Sequence, residues 1–226
     1  TVGFLARSVD DVALFAAATS GDRSLLQLDM NATPRVAMCA THEWPLADVD
    51  TRMAMQQAAM RLSQAGVAVR DMQTPMLFSQ LVQVQKEIMA YELARSLSHE
   101  RLRHADQLSP SLQALLETGL RIQPASHWAN VQLAYSARAK VSSAFGDSEV
   151  WLAPSATGEA PATLEQTGDP VFGRVWTLLG LPCVHLPFMT GQSGMPVGLQ
   201  VVGRYGDDRV VLRIARWLME RLVTTS

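Results

Sequence analysis

The sequence predicts an α/β chain whose mixed, mostly parallel sheet is flanked by helices. Three observations carry this expectation. A strand, an amphipathic helix and a second strand follow one another between Arg35 and Val69, the spacing of a βαβ unit, which makes these strands parallel. An apolar run bounded by prolines, Cys183 to Leu186, is followed by the turn Thr190-Gly191-Gln192-Ser193-Gly194. A second run, Val197 to Val202, completes two core strands joined by a short loop. Between these regions, residues 77 to 146 read as helical throughout, an excursion away from the sheet.

The elements follow in order. Ser8 is a good N-cap, and Asp11 three positions later completes a pair resembling a capping box. Val9, Val12, Ala13, Ala16 and Ala17 give that first helix an apolar face to about Thr19, and Ser20-Gly21-Asp22 ends it. Arg35 to Ala40 reads as a strand. Asp48 to Ala65 reads as a helix with Ala54, Ala58, Leu62 and Ala65 inward, and Gly66 is its stop. Val67 to Val69 is the next strand.

The helical excursion begins with one helix over Leu77 to Arg103. Ser109-Pro110 starts another, with Ser as N-cap and Pro at the first position, and Pro124 opens a third that runs to Phe145. Met55, Met60, Met72, Met76 and Met89 are scattered through these segments and read as adaptable packing. Val150 to Ala153 returns to the sheet. A long loop rich in Gly, Pro and Thr runs from Pro154 to Asp169, a length that in a compact domain marks function or mobility. The last helix runs from Asp207 or Asp208 to Leu222, with Val211, Ile214, Ala215, Leu218 and Leu222 as its stripe.

Composition narrows the function. Of 226 residues, 48% are hydrophobic, and a chain of this size buries about 70% of its unfolded surface. A net charge of −2 without a long basic run argues against nucleic acid as the main partner. No apolar run approaches the roughly 20 residues that span a bilayer, so a membrane is not expected. Nothing at the opening reads as a signal peptide, and a cytoplasmic protein is expected. The two cysteines, Cys39 and Cys183, read as buried free thiols and not as a disulfide framework.

Candidate chemistry is sparse. A Ser-His-Asp relay would use Ser155, His185 and Asp169, yet no G-x-S-x-G elbow surrounds any serine, and His185 in its strand reads as structural. His99 and His104 are five apart, poorly placed for one helical face, and there is no H-E-x-x-H. His42 and His127 stand alone. No metal site and no cofactor is expected.

The segment WTLLGLPCVHLPF, from Trp176 to Phe188, with GQSGMPVGLQVVG, from Gly191 to Gly203, strongly resembles the C-terminal part of the amidase signature family. The opening Gly3-Phe4-Leu5-Ala6-Arg7-Ser8-Val9-Asp10-Asp11 looks like the family's GPxARSVxD stretch, which follows the catalytic core. The resemblance implies that residues 1–226 are the C-terminal part of an amidase domain, with the helical excursion at about 77–146. It also implies a small-molecule amide as substrate. The family's nucleophilic serine, cis-peptide serine and lysine lie in and around a Gly/Ser-rich segment that this sequence lacks. Lys86 and Lys140 do not have the family lysine's context, so no catalytic residue is assigned. The implied partner is the N-terminal catalytic half of the same enzyme.

What the resemblance carries over lies on the substrate side. Ser155 and Thr157 occupy the strand end whose loop lines the family's pocket, at the carboxyl end of a strand where α/β proteins bind ligands. Asp169 lies where some members place an acid facing the substrate. An N-cap ahead of Pro170 accounts for it equally well. Trp176 and Thr177 open the run that packs near the family's catalytic serines. Two other readings stay open. One is a binding or assembly module that stands alone, and the other is membership of an amidotransferase as one of its subunits. A part of a sheet domain also exposes an unpaired strand edge or an apolar patch, so a homodimer is a further expected assembly.

Overall fold

The computed structural model describes residues 2–164 and 167–223. Glu165 and Gln166 of the long loop lie outside them. Helix α1 spans Val9–Ser20, β1 Val36–Ala40, α2 Val49–Gln64 and β2 Val69–Gln73. The helices α3 Phe78–Ser96, α4 Ser98–Arg103, α5 Pro110–Arg121 and α6 Pro124–Ala144 follow. Strand β3 Val150–Pro154, helix α7 Val171–Leu179, strands β4 Cys183–Thr190 and β5 Pro196–Val202, and helix α8 Asp208–Leu222 complete the chain.

Five strands form one mixed sheet in the order β2-β1-β3-β5-β4. β1 runs parallel to both β2 and β3, β5 runs against β3, and β4 runs against β5. Four of the five strands therefore share a direction. Alternation along each strand sends side chains to two cores. Val36, Met38, Leu152, Leu186, Leu199 and Val201 face α1, α2 and α8. Ala37, Cys39, Trp151, Ala153 and Val202 face α3, α6 and α7. The second core is aromatic. Trp151 stacks on Phe145 at 3.8 Å and lies 5.9 Å from Trp176, which meets Phe78 edge-on at 6.4 Å.

Local sequence explains most element ends. Ser8 accepts the Asp11 N–H at 3.1 Å and its hydroxyl donates to the Asp11 carboxylate at 2.8 Å. Asp48 caps α2 by accepting from Thr51 N at 2.9 Å. Ser109 caps α5 with Pro110 behind it. Gly119 lets α5 approach α3, since a Cβ there would fall 1.9 Å from the Ala90 carbonyl oxygen.

Five expectations are corrected. β2 covers Val69–Gln73, not 67–69, because this edge strand is mostly polar and exposed and carries no apolar signal. The helix expected over 77–103 bends at Leu97, between Ser96 and Ser98. Hydrogen bonds from Leu97 N to Leu93 O and from Arg101 N to Leu97 O run through the bend. Ala65 is the C-cap of α2 and exposed, since the helical stripe ends at Gln64. α7 begins at Val171, so Pro170 is its flanking residue and Asp169 does not cap it. Cys39 is buried and burial pushes its thiol up, whereas Cys183 is exposed on the open face of the edge strand β4.

Candidate functional site

Because β1, β2, β3 and β4 point the same way, their carboxyl ends gather at one end of the sheet. There β3 leads into Ser155–Glu159, and β4 turns back through Gly191–Gly194. The Ser155 hydroxyl donates to Gly198 O at 2.8 Å, across the neighbouring strand. Thr157 presents its carbonyl to the Asp48 N–H at 2.7 Å, and Thr51 Oγ1 donates to Ala156 O at 3.3 Å. These bonds dock the β3 loop on the start of α2. Gly158 makes the docking possible, since a Cβ there would lie 1.8 Å from Asp48 Oδ2.

Two carboxylates hold the hairpin turn. Glu159 accepts from Ser193 N at 3.0 Å and from Met195 N at 3.1 Å. Desolvation pushes its carboxyl up, but the donors on Ser193, Met195 and Gly194 prevail and hold it below its ordinary value. Asp50, 5% exposed, accepts from Gln192 N at 3.3 Å through Oδ2, and its Oδ1 has no partner among the described residues. Sequence reading missed both acids. Asp50 shows only as a favourable acid in the first turn of a helix, and nothing near Glu159 announces a bond 34 positions away.

Gln200 joins this loop to α7. It is 7% exposed and donates through Nε2 to Pro154 O at 2.6 Å and to Phe172 O at 2.9 Å. Asp169 precedes α7 with its side chain 56% exposed and one oxygen 4.0 Å from Arg174 Nη2. Arg174 Nη1 donates to Gln85 Oε1 at 2.9 Å, tying α7 to α3. Trp176 is 1% exposed within the aromatic core, and Thr177 faces outward on α7. The structure thus gathers Ser155 and Thr157 on one loop and links that loop to the start of α7 through Gln200. Asp169 stands at that start, and Trp176 and Thr177 lie farther along the helix.

Ser155, His185 and Asp169 form no relay. The serine hydroxyl is given to Gly198 O, Asp169 faces Arg174, and the His185 ring lies over Gly198. Partial withdrawal from water holds the His185 imidazole below its usual value. Among the described residues no group of three or more His, Cys, Asp or Glu is arranged to hold a metal ion. No helix among them is long and apolar enough to cross a membrane. Arg121, read as a lesser candidate for an acidic substrate group, pairs with Glu117 at 3.7 Å.

Comparison with known proteins decides the family. The model of the Amidase family matches residues 1–212. The chain belongs to the amidase family. A solved amidase superposes with a TM-score of 0.85 at 26% identity, covering 97% of this chain and 52% of that one. A chain from a vestigial complex bearing on the origins of an s-triazine catabolic enzyme superposes at 0.82 with 22% identity, which speaks for the fold alone. The GatA-type component of the glutamyl-tRNA(Gln) amidotransferase of Novosphingobium aromaticivorans is 38% identical over 85 residues, 34% of this chain and 17% of that relative. The amidase chain described here thus spans about half the length of the solved structures it matches, and a smaller share of that curated relative.

Proposed function

We propose that this chain is the C-terminal part of an amidase-type hydrolase that cleaves carbon–nitrogen amide bonds with a serine nucleophile located outside residues 1–226. One observation carries the reading. Nearly the whole chain superposes on about half of an amidase, at a TM-score of 0.85. The serine attacks the amide carbonyl and the amine leaves, taking up a proton. Water then cleaves the acyl ester, releasing the acid and restoring the serine. This chain alone is inert.

In this reading Ser155, Thr157, Asp169, Trp176 and Thr177 serve the substrate side. The docked β3 loop brings backbone and hydroxyl groups to the carboxyl ends of the strands, where α/β sheets bind ligands. Trp176 acts as packing behind the site, in keeping with its burial. The N-terminal catalytic half covers β4, which is hydrogen-bonded on one side only among the described residues and exposes Cys183, His185 and Pro187. Without that half, two copies pair through the same edge as a homodimer. The protein is cytoplasmic.

A second reading rests on the curated relatives, which include GatA-type components of glutamyl-tRNA(Gln) amidotransferases. There the same chemistry releases ammonia for use elsewhere in the assembly. The coding sequence upstream of Thr1 tests the main reading. A Gly/Ser-rich segment in frame is the expected result, and a start codon at Thr1 would instead favour an assembly module that lacks chemistry.

A further inference from the structure

We propose that the cavity between α2 and the carboxyl ends of β1 and β2 binds a small organic cation, an amine carried on an apolar body. The cavity measures about 560 Å³, within the range of sites for small ligands. Met38 of β1, Met55 of α2, Met72 of β2 and Met76 beyond it form its walls. Ala40 and Ala59 leave the space open. Unbranched thioethers mould to apolar ligands of varied shape, which suits a cavity lined from several elements.

Charge selects the ligand. Among the described residues, Asp71 is the only carboxylate lining the cavity. It pairs in register with Met38, so it points to the α2 side of the sheet. Arg70, on the opposite side, pairs with Asp147 at 3.5 Å, which leaves Asp71 without a basic partner among the described residues. His42 is the other titratable group on the wall, and its Nε2 is engaged with Pro75 O at 3.1 Å. An anion would meet an unpaired carboxylate here. An alkylammonium, which stays charged at neutral pH as lysine does, finds a partner for its head and thioethers for its body. Ser155, Thr157, Asp169, Trp176 and Thr177 do not line this cavity, so the inference stands apart from the amidase reading.

The test uses phenethylamine and its neutral counterpart 2-phenylethanol as probes on the protein as isolated, with methionine methyl groups labelled for NMR. Phenethylamine is expected to bind saturably and to shift the methyls of Met38, Met55, Met72 and Met76, leaving that of Met195 unmoved. Asp71→Asn should weaken phenethylamine about fivefold and leave phenylethanol unchanged, the size of one partly exposed charge pair. Asp71 is exposed, so that variant keeps the fold. Ala59→Phe, checked for folding by circular dichroism, should abolish both. Equal affinity for the two probes, an unchanged Asp71→Asn variant, shifts confined to other methionines, or no saturable binding would each overturn the proposal.

Discussion

Glu159 and Asp50 hold the β4–β5 turn with carboxylate oxygens, so charge rather than bulk sets its geometry. Glu159→Gln should leave the fold intact and speed amide exchange at Ser193 and Met195. The Glu159 carboxyl titrates below its ordinary value of 4.5, so its stabilising effect is full above that pH and is lost as the pH falls further. His185 also titrates below its ordinary value of 6.5, because the folded site disfavours the charged ring. Folding stability should therefore decline as the pH drops below 6.5, and His185→Gln should flatten that part of the profile. Urea melts between about pH 5 and pH 7 would show it. Asp48 and Gly158 act as a unit. Asp48→Ala should cost about 1 kcal/mol as a lost helix cap. Gly158→Ala displaces the same carboxylate, so the double variant should cost less than the sum of the two singles.

At the scale of elements, Gln200 links β3, β5 and the start of α7. Gln200→Leu strips a donor from two carbonyls, Pro154 O and Phe172 O, and should cost about 2–4 kcal/mol in thermal or chemical melts. The elements legible in the sequence are those with strong local signals. α1, α2 and α8 show a cap or an apolar stripe, and most residues read as inward are buried, with Ala65 the clear exception. The proline-bounded run and the Gly/Ser turn marked β4 and β5. β2 eluded reading because Val69-Arg70-Asp71-Met72-Gln73 lies on an edge and needs no apolar alternation. The bend at Leu97 leaves the backbone hydrogen bonds running, so no helix stop marks it. Site geometry was less legible still. The bonds that fix the loop join residues up to 142 positions apart, and the Met-lined cavity is assembled from three elements.

For the whole molecule, the fold belongs to a family whose solved members carry about twice this length. In our account β4 is the seam where the N-terminal half adds its strands, and an unpaired edge of eight residues invites a substitute partner. The chain alone should therefore self-associate. Leu186→Lys on β4 is not a clean probe, because Leu186 is buried in the core. A lysine at the exposed position His185 should disfavour edge pairing and shift the oligomer toward monomer in sedimentation velocity. The central claim is that residues 1–226 complete an amidase only when joined to a part that bears the nucleophile. The most direct measurement is ammonia release from a panel of simple amides, by this chain alone and by the chain fused to an amidase N-terminal part that carries the Gly/Ser-rich segment. The account predicts none from the chain alone and turnover from the fusion. Ammonia release by the chain alone would contradict it.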